Sequence, residues 1–117
     1  MTLSRKQSAF AVLVARLILF AESQGWALTF GEAYRSPEEA ARLAKLGKGI
    51  AESLHTKRLA IDLNLFINGV YQSESGAYRV LGEWWEAQST DALTCCWGGR
   101  FFKRDGNHFS VEHNGRR

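Results

Sequence analysis

Arg58-Leu59-Ala60-Ile61-Asp62-Leu63-Asn64-Leu65-Phe66-Ile67-Asn68-Gly69 is the stretch on which the fold turns. Every second residue from Leu59 to Ile67 is a large aliphatic, and Ala60, Asp62, Asn64 and Phe66 fall between them. A repeat of two belongs to a strand with one packed face, so the aliphatic set reads as core and Asp62 as facing away from it. Asn68-Gly69 suits the left-handed backbone of a two-residue hairpin turn. It predicts that Val70 to Gln72 return antiparallel.

Upstream, Phe10, Leu13, Leu17 and Phe20 recur at helical spacing, which predicts a helix from Ser4 to Gln24 ending at Gly25. Trp26 to Tyr34 reads as a strand. Ser36-Pro37-Glu38-Glu39 combines an N-cap serine, a first-turn proline and a capping-box glutamate, and opens a helix that ends before Gly47. Lys48 to Leu54 has no period and reads as a loop. Downstream, Tyr78, Leu81, Trp84 and Trp85 form the apolar stripe of a helix over Ala77 to Gln88. Leu93 to Trp97 and His108 to Glu112 are further strands, the second with Phe109 and Val111 on one face and His108, Ser110 and Glu112 on the other. Helices separated from antiparallel strands predict an α+β fold, a small antiparallel sheet with helices on one face. The 117 residues suffice for one core, so residues 1–117 are expected to form one domain.

Fifteen Lys and Arg against twelve Asp and Glu give a formal charge of +3, a mild bias towards anionic partners. The basic residues form no continuous stripe with a recognisable module motif, so a nucleic-acid partner is not expected. Cys95 and Cys96 are neighbours, which implies no disulfide framework and leaves them as packing residues. Arg5 and Lys6 before the apolar run Ala9 to Ala15 superficially resemble a signal peptide, but Arg16 interrupts the run and the stretch is too short to span a bilayer. The chain is therefore expected to be made in the cytoplasm, as a monomer without stable membrane association.

The chemistry lies in two segments. Zinc in a hydrolase takes three ligands from His, Asp or Glu and keeps one position open, a set that His55, Asp62 and His108 fill. A carboxylate must still accept and pass on the proton of the attacking water. Asp105, three residues before His108, is placed for that role. His113, beside the charged tail, reads as a solvated histidine.

Ser53-Leu54-His55-Thr56-Lys57-Arg58-Leu59-Ala60-Ile61-Asp62 resembles the S-x-H-x-x-G-x-A-x-D signature of D-alanyl-D-alanine-type zinc peptidases, which include VanX-type dipeptidases and phage L-alanyl-D-glutamate endolysins. Trp97-Gly98-Gly99 and Asp105-Gly106-Asn107-His108-Phe109 are similar to the closing W-G-G and D-x-x-H-F segments, and Tyr34-Arg35-Ser36-Pro37-Glu38 to the Y-R-S-x-E segment. The resemblance implies the fold shared with lysostaphin-like enzymes and the hedgehog signalling domain. It implies Zn2+ on His55, Asp62 and His108, Asp105 as catalytic base, and Arg35 as the cation that stabilises the substrate carbonyl. Ser53 either hydrogen-bonds substrate or holds its loop. Arg58 stands where the family has glycine, which puts the local loop or a substrate subsite in question.

The function expected is that of a zinc peptidoglycan peptidase, a phage or prophage endolysin acting on the cell wall once the membrane is permeabilised. The bond implied is L-alanyl-D-glutamate. The alternatives are a D-alanyl-specific peptidase and a non-catalytic, zinc-stabilised hedgehog-like binding module, which would have no use for Asp105.

Overall fold

A computed structural model describes all 117 residues, in the order α1 (Leu3–Ser23), β1 (Ala27–Phe30), α2 (Pro37–Lys45), β2 (Ala60–Ile67), β3 (Val70–Tyr71), α3 (Arg79–Ala87), β4 (Cys95–Trp97) and β5 (His108–Val111). Short 3-10 turns cover Leu54–Lys57, Ser75–Tyr78 and Gly98–Arg100. The strands form one antiparallel sheet of order β1-β2-β5-β4, with β3 pairing β2 beyond the Asn68-Gly69 turn. This is the α+β arrangement predicted from helices separated from antiparallel strands.

The aliphatic face of β2 is buried as its period requires: Leu59, Leu63 and Leu65 are fully enclosed, and Asp62, Asn64 and Phe66 are half-buried on the other face. Phe10, Leu13, Leu17 and Ala21 of α1, together with Leu81 and Trp85 of α3, cover that aliphatic face. The Trp85 ring meets Phe10 on one side and Phe109 on the other, edge to face at 5.8 and 6.0 Å, which fastens both helices to β5. Trp84, expected in the core with Trp85, is only half-buried and stacks on Phe20. Cys95 is buried in the core and Cys96 is half-buried, both as free thiols.

Several boundaries differ from the sequence reading. The first strand stops at Phe30, although Gly31 and Glu32 still exchange backbone hydrogen bonds with Asp62. The chain then turns so that Arg35 N–H donates to the His55 carbonyl. The helix predicted from Ala77 is preceded by a 3-10 turn over Ser75–Tyr78, and the Tyr78 hydroxyl, accepting from the Leu65 N–H and donating to the Gln72 carbonyl, ties the chain after β3 to β2. The capping box of α2 is half formed. Ser36 Oγ accepts from Glu39 N–H, but the Glu39 carboxylate turns to Arg42 instead of the Ser36 backbone. No helix is long and apolar enough to cross a membrane.

Candidate active site

The open face of the sheet brings the predicted ligands together. Asp62 on β2 and His108 on β5 are register partners, so strand pairing alone places their side chains side by side. His55 arrives from the 3-10 turn Leu54–Lys57, where the sequence reading assigns no element between the loop ending at Leu54 and the strand from Arg58. The start of this turn is capped by Ser53, whose Oγ accepts from His55 N–H at 3.2 Å. Ser53 is thus buried and engaged in holding the turn that carries His55.

Asp62 Oδ1 lies 3.5 Å from both His55 Nε2 and His108 Nδ1. One ligand-type atom from each residue lies within 4.8 Å of the others. Asp62 Oδ1 is buried with no hydrogen-bond partner, which is costly unless a cation or a donor completes the site. His55 Nδ1 faces the Ala33 carbonyl at 3.4 Å and Glu32 at 3.7 Å, leaving Nε2 free to point at Asp62. An outer partner of this kind orients a metal-binding imidazole. Two imidazoles converging on a carboxylate whose buried oxygen has no hydrogen-bond partner fit a metal ion.

Electrostatics bind the cluster further. Burial by itself would raise the Asp62 carboxyl, but the facing His108 and His55 imidazoles prevail and hold it at about 2. Burial opposes charge on His55, yet Asp62, the Ala33 carbonyl and Glu32 together raise its pKa above the ordinary value. Asp105 is pushed above the usual carboxylate range by burial, with Asp62 adding to the effect and His108 and His55 opposing it. A raised carboxyl is suited to accepting a proton.

Asp105 is aimed by its backbone. Its N–H donates to the Gly98 carbonyl at 2.9 Å, and its own carbonyl accepts from His108 N–H at 3.0 Å. A Cβ on Gly98 would meet His108 Cβ at 2.8 Å and the Asp105 carbonyl oxygen still closer, so glycine lets the turn carrying the acid lie directly on the preceding strand end. Asp105 Oδ2 stands 3.9 Å from His108 Nδ1.

Asp105 and Arg35 line the same cleft as His55, Asp62 and His108, a cavity of about 350 Å³. Arg35 is ion-paired with Glu32, which also faces His55, so one carboxylate holds both side chains. Sequence reasoning missed Glu32: a single acid at a strand end carries no spacing signal. It also missed Lys48 and Arg117, which line the cleft with Lys103. Of the other basic residues near these segments, Arg100 pairs with Glu86 and Arg104 lines a neighbouring cavity. Arg58 adopts the left-handed conformation, with φ 56° and ψ 37°, which explains why glycine suits this position. Its guanidinium lies 4.1 Å over the Tyr34 ring and lines a separate groove against α1, away from the ligand cluster. Glu112 follows β5, where its carbonyl accepts from Lys6, and is not part of the cleft lining.

Among solved structures, the L-Ala D-Glu endopeptidase ChiX of Serratia marcescens shares the fold, with a TM-score of 0.56 at 21% identity over 74% of this chain and 67% of that one. No curated protein matches the chain. Residues 47–111 match the family described as D-alanyl-D-alanine carboxypeptidase. That match spans more than half of the sequence and contains His55, Asp62, Asp105 and His108, so the chain belongs to this family and is a metallopeptidase acting on peptidoglycan.

Proposed function

We propose that residues 1–117 act as one zinc endopeptidase domain that cuts the L-alanyl–D-glutamyl bond of the stem peptide. Its ligands are His55, Asp62 and His108, its general base is Asp105, and Arg35 is the cation at the attacked carbonyl. The convergence of two imidazoles on the Asp62 carboxylate, whose buried Oδ1 has no hydrogen-bond partner, carries this reading. That donor set suits zinc, which when bound supplies Lewis-acid activation of water and carbonyl.

The side chains around it divide the remaining work. Asp105, half exposed to the cleft and with a raised pKa, accepts a proton from the attacking water and returns it to the leaving amine. Arg35, held by Glu32, donates to the carbonyl oxygen as negative charge develops there. Ser53 supports the His55 turn.

Lys48, Lys103 and Arg117 around the cleft favour a substrate with a carboxylate next to the scissile bond, as a D-glutamyl residue provides. Cleavage there strips the cross-linking peptide from the glycan strand, which fits a phage or prophage lysin acting on the wall. Mass spectrometry of digested muropeptides tests the assignment. New N-terminal D-glutamate is expected, whereas release of free D-alanine alone would replace it with a carboxypeptidase.

A further inference from the structure

Beyond the ligand cluster the open face of β2 continues, and the geometry points to a subsite there for the amino-sugar ring to which the stem peptide is joined. This inference rests on the L-alanyl–D-glutamyl reading above. Asp62, Asn64 and Phe66 lie on one face of β2 by alternation. Across the hairpin, Tyr71 is the register partner of Phe66, and the two rings stand 5.6 Å apart, tilted by 53°. Tyr71 is 52% exposed, so the aromatic pair presents a surface to solvent.

Polar groups flank it. Asn107 Nδ2 donates to Asn64 Oδ1 at 3.2 Å, which leaves Asn107 Oδ1 as an acceptor and the Asn64 amide NH2 as a donor. Tyr71, Ser73, Arg104 and Asn107 line a cavity of about 160 Å³ whose wall also includes Asp105. Asp105 lines the catalytic cleft as well, so the two cavities meet at the proposed base. An aromatic surface bordered by amide, hydroxyl and guanidinium groups matches an N-acetylated sugar, with apolar C–H faces and a polar rim.

Spacing selects this occupant. Strand rise puts Asn64 about 7 Å and Phe66 about 13 Å from Asp62. One alanyl residue and the lactyl link to the sugar span about two residues of chain, roughly 7 Å. The near edge of the ring then falls beside Asn64 and Asn107, and its far edge on Phe66 and Tyr71. A bond between D-alanines lies three residues further from the sugar, about 10 Å more, which would carry the ring past the hairpin.

The test compares a muropeptide with the same stem peptide freed of sugar, for the wild-type protein, Tyr71→Ala and Tyr71→Phe. Wild type should prefer the sugar-bearing substrate by about tenfold in kcat/KM, the factor that 1.4 kcal/mol of binding contributes. Tyr71→Ala should lose that preference through KM, with kcat and cleavage of the free peptide unchanged, and Tyr71→Phe should keep it. Equal efficiency on both substrates in wild type, or a preference that survives Tyr71→Ala, overturns the subsite. A separate titration with the peptide-free disaccharide, read from amide chemical shifts at Tyr71, Ser73 and Asn107, does not depend on the bond. Shifts there without L-alanyl–D-glutamyl cleavage would keep the subsite and reject the bond assignment, and cleavage without shifts would do the reverse.

Discussion

Asp62 and His108 face each other across the β2–β5 ladder, with Asp62 Oδ1 3.5 Å from His108 Nδ1, so the sheet itself brings together two of the three proposed ligands. Because metal binding to such a site is coupled to folding, chelation should lower the melting temperature of the wild-type protein. His108→Ala should lose at least the 10- to 100-fold in zinc affinity that removal of even an outer partner costs, and its melting temperature should be insensitive to chelator. Elemental analysis alongside thermal denaturation checks both. Unchanged zinc content in His108→Ala would remove it from the ligand set.

Arg58 carries a left-handed backbone that costs a non-glycine residue about 1–2 kcal/mol, partly offset by about 0.5–1 kcal/mol from its contact over Tyr34. Arg58→Gly should therefore change stability by no more than about 1 kcal/mol, because relief of strain and loss of the cation–π contact oppose each other. Arg58→Val, with a branched Cβ and no cation, should cost about 2 kcal/mol. Urea denaturation of the two variants measures the difference. Equal stability would mean that the left-handed turn is not retained in solution.

Arg35 and Glu32 form a pair whose carboxylate also faces His55. Arg35→Ala should lower kcat by roughly 10²-fold with zinc content unchanged, as removal of one oxyanion donor does. Glu32→Gln should cause a smaller loss, since the amide can still hold the guanidinium by a neutral hydrogen bond. Steady-state kinetics with metal analysis on the same samples decides. Wild-type turnover in Arg35→Ala would make it a surface charge.

Burial pushes the Cys95 thiol up to about 11, above the value of about 8.5 for a free thiol. Between those values the unfolded chain loses the proton while the native chain keeps it, so the unfolded state binds fewer protons and stability falls as pH rises through this window. Melting temperatures recorded from pH 8 to 11 should show that fall in wild type and a shallower one in Cys95→Ala. An identical slope in both proteins would assign the alkaline loss to other groups.

The alternation of β2 reveals the sheet, the core face and the orientation of Asp62 because a period of two leaves little freedom to a strand with one buried side. The same period puts Asp62 and His108 on one sheet face, whereas His55 and Asp105, which lie outside the strands, are singled out by the resemblance to the family's motifs. The 3-10 turn carrying His55 was not legible, since four residues contain no period. Glu32, Lys48 and Arg117 were invisible because the first faces His55 from a strand end with no spacing signal and the others reach the cleft only once distant segments are folded together. The left-handed Arg58 escaped prediction because propensity places glycine there, and Tyr34 gives the guanidinium a compensating contact.

The most direct test of the account is the rate of stem-peptide cleavage by Asp105→Asn, measured on protein whose zinc occupancy and melting temperature are determined on the same sample. Asparagine keeps the size of the side chain and its place on the Gly98 turn but cannot accept a proton. The account predicts wild-type zinc content and stability with turnover reduced on the order of 10²- to 10⁴-fold, the usual contribution of a general base. Full turnover by the folded, zinc-loaded variant would contradict it.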